Sequence, residues 1–360
     1  MNIFIFTASD SSFNSLRPEI EMFTGFSRRG HQVTIATQLD SDAARVYLHH
    51  GIKVIDCQPR KKISPNAITK IRKELQTEQY DILYATNSKS IPNGAIAALG
   101  LDVKVVSYRG TTGGLYRHDP SAYLTHLHPR IDGIVCVSEA VRDDVRKRVW
   151  KNRDKVIAIH KGHNLEWYNQ APADLTEFGI TKKDFILICA VNARPSKGIP
   201  VMLEATNLLS DITRMHLLLV GKNMGTYSTE IAENRMRERI HVLGYRHDVP
   251  ALIKASDVQV QPSVSGEGLP RAVMEAMGCG TPSVLTDTGG GKEVVDDGIT
   301  GFVVPTNSPE MIAEKIRILY EKPGLLDSMG EKSKEKISSE LSCERSTDLY
   351  LQYFETLLAG

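Results

Sequence analysis

Short apolar runs alternate with amphipathic stretches along the whole chain. In the first half the runs fall at residues 3–7, 30–37, 53–55, 82–84, 103–107, 134–137 and 156–159. Helical spacing of apolar positions fills 16–29, 67–75, 92–99 and 139–150 between them. The second half repeats the plan, with strand-like runs at 185–190, 217–220, 240–243, 258–260, 283–285 and 302–304. Strands alternating with helices predict parallel sheets covered on both faces, an α/β class in which ligands bind at the carboxyl ends of the strands. Gly162, Asn164 and Pro172 interrupt the pattern. A chain of 360 residues is long enough for two domains of ordinary size, here 1–165 and 166–344.

Two loops in the second half carry candidate chemistry. The run 258–260 feeds Ser263-Val264-Ser265-Gly266-Glu267-Gly268-Leu269, and a helical pattern begins near Pro270. Proline suits the first helical position because its missing N–H is not needed there. A helix that starts where a small-residue loop ends directs unpaired N–H groups and a positive dipole end outward, a setting for phosphate. Glu267 and Glu275 stand in and just after this loop, where carboxylates accept hydrogen bonds from sugar hydroxyls. The loop 191–199 also follows a strand and precedes a helix. Its Arg194 and Lys197 can neutralise a diphosphate without a metal. Together these features suit a nucleotide sugar.

Composition narrows the class. Hydrophobic content of 41% and charged content of 24% are those of a globular protein. The five cysteines are scattered without a C-x-x-C pair, as expected of idle thiols in a reducing compartment. The start lacks a basic region before its apolar run and reads as a strand rather than a signal peptide. No run approaches the ~20 apolar residues that cross a bilayer. A cytoplasmic protein is expected. Net charge is +1, but residues 1–165 carry 24 Lys and Arg against 16 Asp and Glu, giving +8, and the remainder gives −7. The first half is expected to meet something anionic.

Other motifs have plainer readings. Gly289-Gly290-Gly291-Lys292-Glu293 fails the phosphate-loop pattern, which needs Ser or Thr after the lysine. Asp40-Ser41-Asp42 could hold a divalent metal, but it stands just before a helical pattern, where such residues cap. His126, His128, His160 and His163 have no ligand partners at metal-binding spacing and read as ordinary loop histidines.

The Arg-x-x-Lys-Gly loop at 194–198, the Glu-x7-Glu segment from Glu267 to Glu275, and the run 289–293 stand together in one order. In this they resemble the retaining glycosyltransferases of family 4, with the GT-B fold, over roughly the whole C-terminal half. The resemblance implies two Rossmann-like domains facing each other across a cleft, with a last helix at about 345–360 returning to the first domain. It implies that Glu275 holds the nucleotide ribose and that Glu267 meets the donor sugar. Arg194 and Lys197 would hold the diphosphate, assisted by Gly268, Leu269 and Pro270 at the helix start. Arg246 would neighbour the base, and Gly289, Gly290 and Glu293 would line the donor. It further implies a nucleotide-diphosphate sugar as co-substrate, UDP-sugar favoured, with no cofactor and no metal. The reaction would be transfer with retained configuration to a glycan or glycolipid, in lipopolysaccharide or other cell-surface glycan synthesis. Another GT-B sugar-nucleotide enzyme, such as an epimerase, and a binding protein without transfer activity remain as alternatives. Nucleic acid is not an expected partner.

The first half departs from the family. Arg109 stands where a histidine is usual, and the loop 8–13 lacks paired glycines. Arg109, Arg117 and His118 would suit an anionic acceptor. Arg142, Arg146, Lys147, Arg148, Lys151 and Arg153 form a basic segment, and the helical register puts Ala140, Val141, Asp144, Val145, Val149 and Trp150 on the inward face. Peripheral contact with the inner face of a membrane follows as an expectation.

Overall fold

The computed structural model describes residues 1–10 and 12–360 and divides the chain into two units, Met1–Gly162 with Cys343–Gly360, and His163–Ser342. The boundaries expected at 165/166 and 344/345 thus fall two to three residues earlier. Of the loop 8–13, Ser11 lies outside the described residues.

In the first unit seven strands form one sheet: β1 (Asn2–Phe6), β2 (Gln32–Thr37), β3 (Lys53–Asp56), β4 (Ile82–Ala85), β5 (Lys104–Arg109), β6 (Gly133–Cys136) and β7 (Val156–Ala158). The order is β3-β2-β1-β4-β5-β6-β7 with every pairing parallel. Helices α1 (Phe13–Arg28), α2 (Asp42–His49), α3 (Pro65–Thr77), α4 (Ser90–Ala97) and α5 (Glu139–Arg146) connect them. Central strands are apolar throughout because both faces are covered; Ile3, Phe4, Ile5 and Phe6 are all fully buried.

The second unit holds β8 (Phe185–Ala190), β9 (Met215–Val220), β10 (Ile240–Gly244), β11 (Val258–Gln261), β12 (Ser283–Thr286) and β13 (Gly301–Val304), ordered β10-β9-β8-β11-β12-β13 and again parallel. Its helices are α6 (Ile199–Leu208), α7 (Ser228–Glu233), α8 (Val249–Lys254), α9 (Arg271–Cys279), α10 (Gly291–Val294), α11 (Pro309–Glu321) and α12 (Pro323–Ser339). In each sheet the strand order reverses once, between β1 and β4 and between β8 and β11. Such a reversal opens a crevice at the carboxyl ends of the two strands.

The last helix, α13 (Cys343–Ala359), belongs to the core of the first unit. Tyr350 and Phe354 are fully buried, Phe354 meets Phe26 at 5.9 Å between ring centroids, and Tyr84 Oη donates to Tyr350 Oη at 3.1 Å.

Two expectations need correction. The helical pattern over 139–150 ends at Arg146. Beyond it, Arg117 donates to the carbonyl oxygens of Lys147, Arg148 and Val149 at 3.2, 2.8 and 3.4 Å, in the turn that follows the helix. Trp150 therefore does not face inward; it is 63% exposed. Pro270 is the cap residue rather than the first helical one, with φ −71° and ψ 111°. Its carbonyl accepts from the amides of Val273 and Met274.

Candidate active site

The reversal of the second sheet brings together the two loops that the sequence singles out. The loop 191–198 leaves β8 and the loop 262–270 leaves β11, and Val264 N donates to Ser196 O at 2.8 Å between them. Gly198 lies beneath this contact at φ +66°, where a Cβ would come within 1.9 Å of Pro262 O. Only glycine fits.

Lys197 Nζ donates to Glu267 Oε1 at 2.6 Å. The same oxygen accepts from Gln261 Nε2 at 2.9 Å and from Ser263 Oγ. Gln261 Nε2 also donates to Ser263 Oγ at 2.9 Å, and Thr286 Oγ1 donates to Ser263 O. Glu267 is buried at 5% exposure, so its charge needs these donors. Lysine and glutamate, expected to meet different parts of a ligand, are thus in direct contact with each other.

Arg194 is exposed, and its guanidinium has no hydrogen bond or ion pair among the described residues. Glu275 lies on α9, also 5% exposed, with Arg271 Nε at 3.3 Å. Gly290 N donates to Gly268 O at 2.7 Å, which ties the loop after β12 to the loop after β11. Gly289 adopts φ +63° with Glu267 O 2.1 Å from where its Cβ would stand. Leu269 on the first of these loops and Glu293 on α10 are half-buried, and Pro270 caps α9 without a side-chain cap hydrogen bond. Glu267, Gly268, Leu269, Pro270, Gly289 and Gly290 are therefore one connected wall.

Arg246, after β10, is held by Asp248 through two hydrogen bonds of 2.8 and 2.7 Å. That pairing raises the Arg246 pKa and lowers that of Asp248. The neighbouring Tyr245 is exposed, under the ammonium of Lys222 at 4.8 Å. Tyr245 and Lys222 stand at the carboxyl ends of β10 and β9, and sequence reasoning missed both. It missed Gln261 as well and gave Ser263 no role of its own, although alternate polar residues in a strand buried on both faces are a readable signal.

In the first unit the acceptor candidates are engaged locally. Arg109 folds onto the carbonyls of its own loop, Thr111 at 3.0 Å and Gly113, and Arg117 lies 4.0 Å over the Trp150 ring. His118 stacks on Tyr116 at 5.4 Å. Burial is the main cause that lowers the Arg109 pKa. The reversal between β1 and β4 holds instead a crevice of about 770 Å³, lined by Asp10, Asp40, Asp56, Gln58, Arg60 and Lys89 among others. Gln58 Oε1 is buried there and has no hydrogen-bond partner among the described residues.

The remaining motifs have local roles. Ser41 caps α2 by accepting from Ala44 N at 3.2 Å, and Asp42 pairs with Arg45. His126 is buried with Nδ1 3.0 Å from Ser107 Oγ, and burial pushes its pKa down to about 3. His163 Nδ1 lies 2.5 Å from Tyr168 Oη. Among the described residues, no group of three or more His, Cys, Asp and Glu is placed to hold a metal ion, and no helix is long and apolar enough to cross a membrane.

Known proteins resemble this arrangement. Residues 171–336 match the family described as glycosyl transferases group 1, and residues 20–167 match glycosyltransferase family 4. A putative glycosyltransferase EpsD of Bacillus subtilis is 28% identical over 49% of this chain and 48% of its own length, so this chain spans about half of that relative. An α-1,3-galactosyltransferase of Escherichia coli, named for UDP-Gal and GlcNAc-diphosphoundecaprenol, is 25% identical over 78% of this chain and 77% of its own. The structure of HepE of Anabaena in complex with UDP-glucose superposes with a TM-score of 0.79 at 20% identity, covering 100% of both chains. At that identity it speaks for the fold. With two parallel-sheet Rossmann-like units and both family matches, the chain belongs to the group 1, family 4 glycosyltransferases of the GT-B fold.

Proposed function

We propose that this chain transfers a glycosyl group from a nucleotide-diphosphate sugar, UDP-sugar favoured, to an acceptor hydroxyl with retained configuration and without a metal. One observation carries the reading: Lys197 and Glu267 meet at 2.6 Å where the second sheet reverses, beside the start of α9. Glu267 holds the ammonium at the place a diphosphate would occupy, and its carboxylate would meet the hydroxyls of the donor sugar. Arg194 adds an exposed cation, and the first N–H groups of α9 add a dipole end. Glu275 would take the ribose hydroxyls. Tyr245 offers a ring to the base, with Arg246 beside it.

Chemically, the acceptor oxygen bonds to the anomeric carbon on the face from which the diphosphate leaves. The C–O bond to phosphate breaks with its electron pair, and the acceptor proton passes to a departing phosphate oxygen. Charge growing on the diphosphate is what Lys197, Arg194 and the α9 end stabilise. The crevice at Asp10, Gln58 and Lys89 suits a hydroxyl-rich acceptor better than the engaged Arg109 and Arg117. The Escherichia coli relative, named for GlcNAc-diphosphoundecaprenol, supports a polyprenyl-diphosphate-linked glycolipid as the acceptor class. No nucleic acid is involved in this reading.

The test is turnover of a panel of UDP- and GDP-sugars with glycan and polyprenyl-diphosphate-linked acceptors in excess EDTA, followed by proton NMR of the product. Transfer with the donor's anomeric configuration supports the reading. Inversion, or activity that returns only with Mg²⁺ or Mn²⁺, contradicts it.

A further inference from the structure

A second cavity, of about 370 Å³, lies at the opposite edge of the first sheet, against the first residues of β6 and β7. All strands of that sheet run parallel, so this edge is remote from the carboxyl ends and the crevice described above. Its walls include Leu127, Ile131, Ile134, Val149 and Val156, all buried. Trp150 stands at the mouth, 63% exposed, with its Nε1 3.4 Å from Tyr123 Oη and one face under the Arg117 guanidinium.

The surroundings are strongly cationic. Between residues 146 and 155 there are six Lys and Arg against one Asp. Some of these are structural: Arg146 donates to Val156 O, Arg148 lies 3.8 Å from Asp144, and Arg153 donates to Val149 O. Lys147 and Lys151 are exposed, and their ammonium groups have no partner among the described residues. A cavity with apolar walls, polar His128, Asp132 and Asn152 in its lining, an amphipathic ring at its mouth, Lys151 on its rim and Lys147 in the same basic segment match one class of molecule. We propose that this cavity takes one hydrocarbon chain of an anionic membrane lipid, with its phosphate against Lys147 and Lys151. The site is independent of the transfer reading, because it uses none of the residues placed there.

The experiment uses the full chain with vesicles of phosphatidylcholine alone, or mixed equally with phosphatidylglycerol, and with dodecyl phosphate below its micelle-forming concentration. The mixed vesicles should bind at least tenfold more tightly than the neutral ones. Phosphatidylglycerol with brominated chains should quench tryptophan emission in the wild type but not in Trp150→Phe. Dodecyl phosphate should bind at one per chain, and inorganic phosphate should not compete. Lys147→Glu with Lys151→Glu should weaken vesicle binding at least tenfold while leaving the melting temperature and UDP affinity unchanged. Equal binding to both vesicle types would overturn the proposal. So would anionic binding without Trp150 quenching, which indicates a purely electrostatic surface, or an absence of dodecyl phosphate binding. A lost UDP-sugar activity with intact lipid binding would count against the transfer reading alone.

Discussion

Lys197 and Glu267 are seventy residues apart in sequence and 2.6 Å apart in space. Their side chains are 22% and 7% exposed, so the attraction is only partly screened. A double-mutant cycle with Lys197→Ala and Glu267→Gln, read by thermal or denaturant unfolding without ligand, should show a coupling energy of about 0.5–3 kcal/mol. Additive effects would mean that the contact does not hold in solution.

Gln261 is expected to act as a positioning residue through Glu267. It donates to Glu267 Oε1 and to Ser263 Oγ from within a fully buried strand. Gln261→Leu should lower kcat/KM for the donor about tenfold, the equivalent of one hydrogen bond to a charged group, and leave affinity for the free nucleotide within about twofold. Kinetic constants beside nucleotide titrations separate this from a fold defect, which would move both.

Gly198 sets how closely the two site loops approach. Its φ of +66° and the 1.9 Å approach to Pro262 O leave no room for a methyl group. Backbone strain of this kind is of order 1–3 kcal/mol, and for a domain of this size each kcal/mol shifts the melting temperature by ~2–4 °C. Gly198→Ala should therefore melt several degrees lower and bind donor more weakly, whereas Gly266→Ala, in open space at φ +76°, should melt lower through backbone strain alone, with a smaller loss. Equal melting temperatures for Gly198→Ala and wild type would contradict the assigned geometry.

Acid should weaken the first unit through His126. Burial, assisted by the nearby Arg109 charge, holds its folded pKa at about 3 against 6.5 for a free imidazole. A depressed folded pKa contributes stability that is fully present above pH 6.5 and lost as pH falls toward 3. The melting temperature should decline through that window, and His126→Asn, which cannot gain the proton, should flatten the decline. An unchanged pH slope in the variant would assign the effect elsewhere.

Much of this molecule can be read from its sequence. The alternation of apolar runs locates the thirteen strands among the described residues within one or two residues, because a strand buried on both faces is mostly apolar, β11 with its alternate glutamines being the exception. The site loops are legible too, since they combine small residues, charges and a helix start. What fails is what depends on partners distant in sequence. Nothing in the local pattern says that Lys197 meets Glu267, or that Arg117 reaches the carbonyls just beyond α5 while Trp150 stands exposed. The crevice at Asp10, Gln58 and Lys89 draws on four separate loops and shows only once the sheet order is known.

Calorimetric titration of UDP and GDP in excess EDTA tests the central claim most directly, with wild type, Lys197→Ala and Glu275→Gln compared at one ionic strength. One of the two nucleotides should bind the wild type without metal. Each substitution should weaken that nucleotide by about 1.5–3 kcal/mol, or roughly 10- to 150-fold, as expected for a hydrogen bond to a charged group. Equal affinity in all three proteins, or binding that appears only when a divalent ion is restored, would contradict the placement of the diphosphate and ribose at this site.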